Sequence, residues 1–115
     1  MAEGEKQDLG STDSGIKPNI AALLAYLLWF VTGLILLLIE KKNKFVRFHA
    51  MQSILTFGFF LVANLVLAFI PVIGWAMMPI LGIVQLIIWI ILMVKAYQGE
   101  KFKLPVVGDM AEKNS

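Results

Sequence analysis

The chain alternates between long uncharged apolar stretches and short polar segments. Three stretches, at residues 20–39, 50–70 and 72–94, contain no charged side chain. Crossing a hydrocarbon core of about 30 Å takes about 20 apolar residues at a rise of about 1.5 Å each. The pattern therefore predicts an all-α membrane protein, a three-transmembrane-helix bundle with spans at about residues 19–39, 49–69 and 73–97.

The two ends of the chain fall outside this predicted bundle. Residues 1–17 are rich in Gly, Ser, Asp and Glu and have almost no apolar content, so a disordered N-terminal tail is predicted there. Residues 18–113 form the predicted transmembrane domain. The segment after Tyr97 alternates polar and apolar residues and includes Pro105 and Gly108, which favours an interfacial C-terminal segment over a fourth span.

Positively charged residues set the expected orientation. The linker between the first two predicted spans and the C-terminal region from Lys95 onward together hold eight Lys and Arg, whereas the N-terminal tail holds two and the remaining turn none. By the positive-inside rule, the linker and the C-terminus are expected in the cytoplasm. The N-terminus is then expected outside, in a multi-pass protein of a bacterial or archaeal cell membrane.

Composition restricts the classes of function. The net charge of +2 is too small to indicate a nucleic-acid partner. The chain has no cysteine and one histidine, and no acid lies within a predicted span, so paired carboxylates or a metal-ligand set cannot be assembled inside the membrane. We therefore expect no enzymatic activity, no metal and no cofactor.

Aromatic rings stand among cations in the linker EKKNKFVRFH and in the C-terminal string GEKFKLP. This pattern favours a cytoplasmic interfacial surface that contacts the lipid bilayer and its anionic lipids. The alternative is that both segments are charged flanks needed only for insertion. The candidate surface consists of Lys42, Lys44, Phe45, Arg47, Phe48, His49, Lys101, Phe102 and Lys103.

One uncharged polar residue in each predicted span lies at a similar predicted depth. These are Tyr26, Asn64 and Gln85, roughly 18–21 Å from the cytoplasmic ends. They are predicted to form a hydrogen-bonded layer between the helices. Such a layer either holds the bundle together or lines a groove or an oligomeric pore.

Three strings carry a resemblance to a known family: KPNIAALLAYLLWFVTGLI, EKKNKFVRFHAMQSIL and KAYQGEKFKLPVVGDMAEK. Here the chain resembles the small prokaryotic membrane proteins of unknown function in the Tic20-like family (DUF4870 or UPF0132-type). The chloroplast member of that group is a four-span subunit of a preprotein translocon. The resemblance marks, without assigning their chemistry, Phe45, Arg47, Phe48, His49, Gln52, Pro105, Gly108 and Asp109.

Three classes of function stay open from the sequence. The resemblance implies a non-enzymatic component of protein translocation or membrane assembly. The basic segments favour an adaptor that binds anionic lipid or a membrane-protein partner. The third class is a small channel or carrier formed by a homo-oligomer.

Overall fold

Five helices make up the described part of the chain. The computed structural model describes residues 9–115, and its helices are α1 (Pro18–Leu27), α2 (Phe30–Ile39), α3 (Lys44–Ala68), α4 (Ile73–Tyr97) and α5 (Val107–Asn114). No strand occurs in these residues, which confirms the all-α prediction for them. The predicted disorder of residues 1–8 lies outside the described residues.

Two helices, α3 and α4, are long and apolar enough to cross a membrane. Each has 25 residues and a length of about 37 Å, compared with about 30 Å for a hydrocarbon core. Most large apolar side chains of α4 are exposed at the surface of the protein, as expected of a helix that faces lipid. These two helices correspond to the second and third predicted spans.

The first predicted span is not one helix. Its residues divide between α1 and α2 at Leu28 and Trp29, so residues 9–115 contain two helices of spanning length and not three. Trp29 has φ 58° and ψ −130°, a backbone conformation that interrupts a right-handed helix. The Thr32 hydroxyl accepts a hydrogen bond from the Leu28 amide (3.1 Å) and donates one to the Ala25 carbonyl (3.2 Å), which satisfies polar groups at the break.

Helix α1 runs antiparallel to α4 and begins at the end where α4 finishes. Near the start of α1, the Asn19 side chain donates to the Tyr97 carbonyl (3.0 Å). Near its end, the Trp89 indole donates to the Tyr26 carbonyl (2.7 Å). Because α1 has ten residues, it rises about 15 Å, which is less than half the length of α4.

Helix α2 returns along α3 toward the same end. The Ser53 hydroxyl donates to the Trp29 carbonyl (2.6 Å) before the start of α2, and the Arg47 guanidinium donates to the Leu37 carbonyl (2.9 Å) near its end. The partners on α3 come earlier in the chain as α2 proceeds, so α2 and α3 are antiparallel. We call α1 and α2 together the re-entrant hairpin, because the chain leaves one end of the bundle, turns at the tip, Trp29, and returns to the same end.

Both ends of the re-entrant hairpin lie at one end of the bundle. The amides of Asp13 and Ser14 donate to the Glu40 carboxylate (2.6 and 3.0 Å), and the Lys41 amide donates to the Asp13 carboxylate (2.8 Å). The segment before α1 therefore lies beside the linker after α2. Three straight spans predict these segments on opposite sides of the membrane, and the turn at Trp29 is the reason that the structure differs. Residues 9–17 also hold defined contacts where the sequence predicts disorder.

Packing is concentrated in the half of the bundle that contains the re-entrant hairpin. In α3, no residue after Phe60 is buried. In that half of the bundle α3 has α4 beside it but not the re-entrant hairpin, so less of its surface is covered. In α4, no residue between Gly74 and Leu92 is buried. The buried apolar core consists chiefly of Ala21, Ala22, Ala25, Tyr26, Leu36, Val46, Phe48, Ala50, Phe57, Phe60, Leu92 and Ala96.

Two copies of a short turn motif start α4 and α5: PVIG at residues 71–74 and PVVG at residues 105–108. The first valines, Val72 and Val106, have φ of 68° and 66°. In each copy the amide after this valine donates to the proline carbonyl, at 2.8 and 2.6 Å, which closes a γ-turn. The final glycine of each copy lies where a Cβ would overlap a neighbouring segment.

Candidate functional site at the charged end of the bundle

Every charged side chain of residues 9–115 lies at one end of the bundle, which we call the charged end. No charge occurs in α3 after Arg47 or in α4 before Lys95, and the turn between these helices has none. Nine bases gather there with five acids: Lys17, Lys41, Lys42, Lys44, Arg47, Lys95, Lys101, Lys103 and Lys113 with Asp13, Glu40, Glu100, Asp109 and Glu112. Among the described residues, the charged end is net positive and the opposite end is uncharged.

Residues 99–104 cross the charged end between α4 and α5, and we call this segment the strap. Gln52 on α3 holds its backbone, because the side-chain amide donates to the Phe102 carbonyl (2.9 Å) and the side-chain oxygen accepts from the Leu104 amide (3.0 Å). One turn earlier on α3, His49 Nε2 lies 3.0 Å from the Glu100 carbonyl. The strap is therefore attached to the bundle through its backbone.

A buried hydrogen-bonded network joins the strap to the re-entrant hairpin. In a neutral imidazole, His49 Nε2 donates to the Glu100 carbonyl, so Nδ1 accepts from the Tyr26 hydroxyl, 2.6 Å away. The Tyr26 oxygen in turn accepts from the Gln52 amide (2.9 Å). All three side chains are fully buried and satisfied by one another and by the strap. Such a closed network fixes one arrangement of the segments that it joins.

The phenylalanines of the linker are buried within the protein. Phe45 and Phe48 are 9% and 0% exposed, and their rings meet the His49 ring edge to face at centroid distances of 4.7 and 5.0 Å. They therefore pack around the histidine and do not face a headgroup layer. The Lys101 ammonium lies 5.0 Å from the centroid of the Phe48 ring and covers its outer side.

The lysines of the predicted surface fall into two groups. Lys101 and Lys103 both pair with Glu112 of α5. The hydrogen bond from Lys103, followed by that from Lys101, lowers the pKa of Glu112, and the bond to Glu112 raises the pKa of Lys103. Lys42 and Lys44 are exposed and pair with no carboxylate of residues 9–115. The second group is the one free to attract an external anion.

Arg47 and Glu40 fix the linker and the chain end. Arg47 donates to the carbonyls of Leu37 (2.9 Å) and Glu40 (2.8 Å), which satisfies the last turn of α2, and it also donates to the Ser115 carbonyl (2.9 Å). Glu40 is fully buried, and its carboxylate accepts the two amides of the N-terminal segment. Glu40 could not be singled out from the sequence, because these partners are more than 25 positions away in the chain.

Two open grooves lie side by side on the charged end. One, of about 410 Å³, is lined by residues 9–11 and 42–45. The other, of about 710 Å³, is lined by residues 99–103 together with Leu9 and Phe45. Because Leu9 and Phe45 border both grooves, the two adjoin. The lysines that line them are Lys42, Lys44, Lys101 and Lys103.

The predicted polar layer is not assembled in this structure. Tyr26 belongs to the buried network described above. Asn64 donates to the Phe60 carbonyl of its own helix (2.8 Å) and lies about 18 Å farther along α3 than Gln52. The side chain of Gln85 on α4 makes no hydrogen bond with the described residues. These positions therefore do not share a hydrogen-bonded layer.

The exposed cations are the groups of the charged end that can bind a ligand. The side chains of Tyr26, His49 and Gln52 are occupied by one another and by the strap. Within residues 9–115, no group of three or more His, Cys, Asp or Glu side chains could hold a metal ion. The arrangement is suited to attracting anions to the surface of the grooves.

Comparisons with known proteins identify relatives of the chain. Residues 17–111 match the family described as magnetosome magnetite crystal formation proteins. A UPF0132 membrane protein of Methanocaldococcus jannaschii is 48% identical over 107 residues, which cover 93% of this chain and 96% of that protein. One from Archaeoglobus fulgidus is 53% identical over 97 residues, 84% and 94% of the two chains. A second from Methanocaldococcus jannaschii is 44% identical over 99 residues, 86% and 71% of the two chains.

The names of these relatives and the fold of this chain both indicate a membrane protein. They are named as membrane proteins, and α3 and α4 have the length and composition of membrane spans. The predicted resemblance is confirmed for the UPF0132 proteins, whereas the Tic20-like name is not among the matches given above. No solved structure matches the chain significantly. The chain belongs to the magnetosome magnetite crystal formation protein family and to the UPF0132 membrane proteins.

Proposed function

We propose that this protein is a non-enzymatic, multi-pass membrane protein whose charged end binds anionic phospholipid headgroups at the cytoplasmic leaflet. The observation that carries the proposal is the segregation of charge: nine bases with five acids at one end of the described chain, and no charge at the other. The phosphodiester of an anionic lipid is the complementary group that this end meets at the membrane surface.

The same segregation gives the proposed orientation. With α3 and α4 crossing the membrane and the re-entrant hairpin entering and leaving on one side, the N-terminal segment, the linker and the strap share that side. The positive-inside rule then places both ends of the chain in the cytoplasm. In the three-span prediction Lys17 counted against the rule, whereas here it lies with the other bases.

Lys42 and Lys44 are the cations best placed to meet a headgroup. They flank Asn43, whose side chain accepts from the Val46 amide (3.0 Å) and caps the start of α3. They thus lie where a spanning helix leaves the hydrocarbon, and they border the smaller groove. A base close to an anionic leaflet contributes about 1 kcal/mol of attraction.

The contacts favour this role over a channel or a translocation pathway. A conducting path needs polar groups that line it along its length. In this protein Tyr26 is committed to the buried network and Asn64 to its own helix. We therefore favour headgroup binding over the translocation role that the Tic20-like resemblance implies.

Native mass spectrometry of the detergent-solubilised protein with phosphatidylglycerol and with phosphatidylcholine tests the proposal. We expect preferential binding of phosphatidylglycerol that weakens as salt is added. The double variant Lys42→Gln, Lys44→Gln removes two bases, or about 2 kcal/mol, so we expect about 30-fold weaker binding of the anionic lipid.

The matched control is the double variant Lys101→Gln, Lys103→Gln. It removes the same charge, but both lysines already pair with Glu112, so a smaller loss is expected. Equal binding of the two lipids by the unmodified protein contradicts headgroup recognition. Equal losses in the two double variants contradict the assignment to Lys42 and Lys44.

A further inference from the structure

The two halves of the bundle contain different numbers of helices. In the half next to the charged end, α3 and α4 are joined by both helices of the re-entrant hairpin, through contacts such as Trp89 to Tyr26 and Ser53 to Trp29. Beyond these contacts the other half is built from α3 and α4, with their apolar side chains exposed. The cross-section is therefore larger in one half than in the other.

The depth of the hairpin tip confines this extra cross-section to one leaflet. The Trp29 carbonyl is bonded to Ser53, which lies about 14 Å along α3 from Lys44. The hydrocarbon core is about 30 Å thick, so the tip stops near its middle. Four helices then displace lipid in the leaflet at the charged end, and two do so in the opposite leaflet.

The outer side of the hairpin is apolar and therefore suited to contact with acyl chains. Leu34, Ile35 and Leu38 of α2 are 49%, 49% and 61% exposed. An apolar surface of this kind is favourable in hydrocarbon and costly in water. The hairpin therefore takes up area among the lipids of one leaflet, and each of its helices is about 10 Å across.

From this asymmetry we infer that the protein is a wedge in the bilayer and prefers membranes whose charged-end leaflet is convex. A convex leaflet has room for added area, whereas a concave leaflet must compress its lipids to admit the same hairpin. Insertion on one side of a bilayer is the feature that makes interfacial helices sensitive to curvature. The inference requires that α3 and α4 cross the membrane and does not depend on headgroup binding.

To test the wedge, the protein is reconstituted from detergent into vesicles of zwitterionic phosphatidylcholine, at small and at large diameters. The chain has no cysteine, so Ser115→Cys gives a single thiol at the charged end. A membrane-impermeant maleimide then reports the fraction of molecules whose charged end faces outward. That fraction is expected to rise as vesicle diameter falls, because the outer leaflet of a small vesicle is convex. A fraction that does not change with diameter overturns the inference.

Two matched triple variants test whether the dependence of orientation on vesicle diameter comes from the unequal cross-sections of the two halves. Replacing the three exposed residues of α2, Leu34, Ile35 and Leu38, by alanine narrows the charged-end half. The dependence on diameter is then expected to flatten.

The opposite variant replaces Val62, Leu65 and Val66 of α3, which are 58%, 53% and 54% exposed in the other half, by alanine. Narrowing that half is expected to steepen the dependence. None of the six side chains is buried, and circular dichroism checks that both variants fold. Changes of the same sign in both variants, or no change in either, contradict the wedge. Because the lipid carries no net charge, a failure of headgroup binding leaves this result unaffected.

Discussion

The backbone amide of Asp13 donates a hydrogen bond of 2.6 Å to the carboxylate of Glu40, 27 positions later in the chain. The whole of the first apolar stretch, residues 20–39, lies between these two residues, so that stretch must leave one end of the bundle and come back to it. Glu40 is fully buried at this junction, and its charge is offset by amide donors. This contact shows that the expected span is a hairpin, whose two ends lie together at one end of the bundle.

Gln52→Leu should destabilise the protein. It removes the partners of the Phe102 carbonyl and the Leu104 amide, and an unsatisfied buried polar group costs about 1–3 kcal/mol. We expect a loss of about 2 kcal/mol in thermal or denaturant unfolding in detergent, together with faster proteolysis of the strap.

Asn64→Leu is the control for that experiment. Its amide bonds only within α3, so we expect a change within about 0.5 kcal/mol. Equal losses in the two variants would support the hydrogen-bonded layer predicted from sequence and would argue against the buried network as the main polar attachment.

Substituting alanine at two glycines should have opposite effects. A Cβ at Gly33 would lie 2.9 Å from the Ala50 carbonyl oxygen and 3.0 Å from Ser53 Cβ, so Gly33→Ala should push α2 away from α3 and cost about 1–3 kcal/mol. A Cβ at Gly58 meets nothing within 4 Å, so Gly58→Ala should be neutral or stabilise the helix by up to about 1 kcal/mol. Melting curves in detergent compare the two variants. Equal melting temperatures would mean that the hairpin is not packed on α3 as described.

Acid should loosen α5. The pKa of Glu112 in the folded protein is lowered from 4.5 by the hydrogen bonds from Lys103 and Lys101. For a lowered carboxyl pKa, the stabilisation is present above the unfolded value and is lost as pH falls through the folded value. A fluorophore at Met110→Cys should therefore become more mobile only below about pH 4.5. The variant Glu112→Gln should show the mobile state already at neutral pH, and a probe that stays mobile at every pH in the unmodified background would refute the role of this ion pair.

The two helices that are long and apolar enough to cross a membrane follow from the sequence alone, because their cause is local. The uncharged stretch at residues 50–70 ends before Pro71, and α4 begins at Ile73 and ends at Tyr97, as predicted. No proline marks the break between α1 and α2 in the first stretch. The break depends on side chains far away in the chain, chiefly Ser53 and Trp89, which take up the carbonyls at the tip. The sequence feature that indicates the hairpin is a base at each end of that stretch, Lys17 and Lys41, because the positive-inside rule then places both ends on the same side.

The basic segments of the candidate site could be predicted from the sequence, but the burial of its phenylalanine rings could not. The basic linker and the C-terminal segment do lie together, because Gln52 and His49 attach the strap beside the linker. The rings of Phe45 and Phe48 are buried around His49, and Lys101 of the strap lies over the Phe48 ring. Alternating rings and cations look the same in a sequence whether the rings meet lipid or protein, so burial required the tertiary contacts.

The sidedness of residues 11 and 115 tests the central claim most directly. Ser11→Cys and Ser115→Cys are labelled separately with an impermeant maleimide in sealed cells, in inverted membrane vesicles and after permeabilisation. The re-entrant hairpin predicts that both thiols are protected in sealed cells and that both react in inverted vesicles. Reaction of the thiol at residue 11 in sealed cells, with the thiol at residue 115 still protected, would show that the first apolar stretch crosses the membrane and would contradict the account.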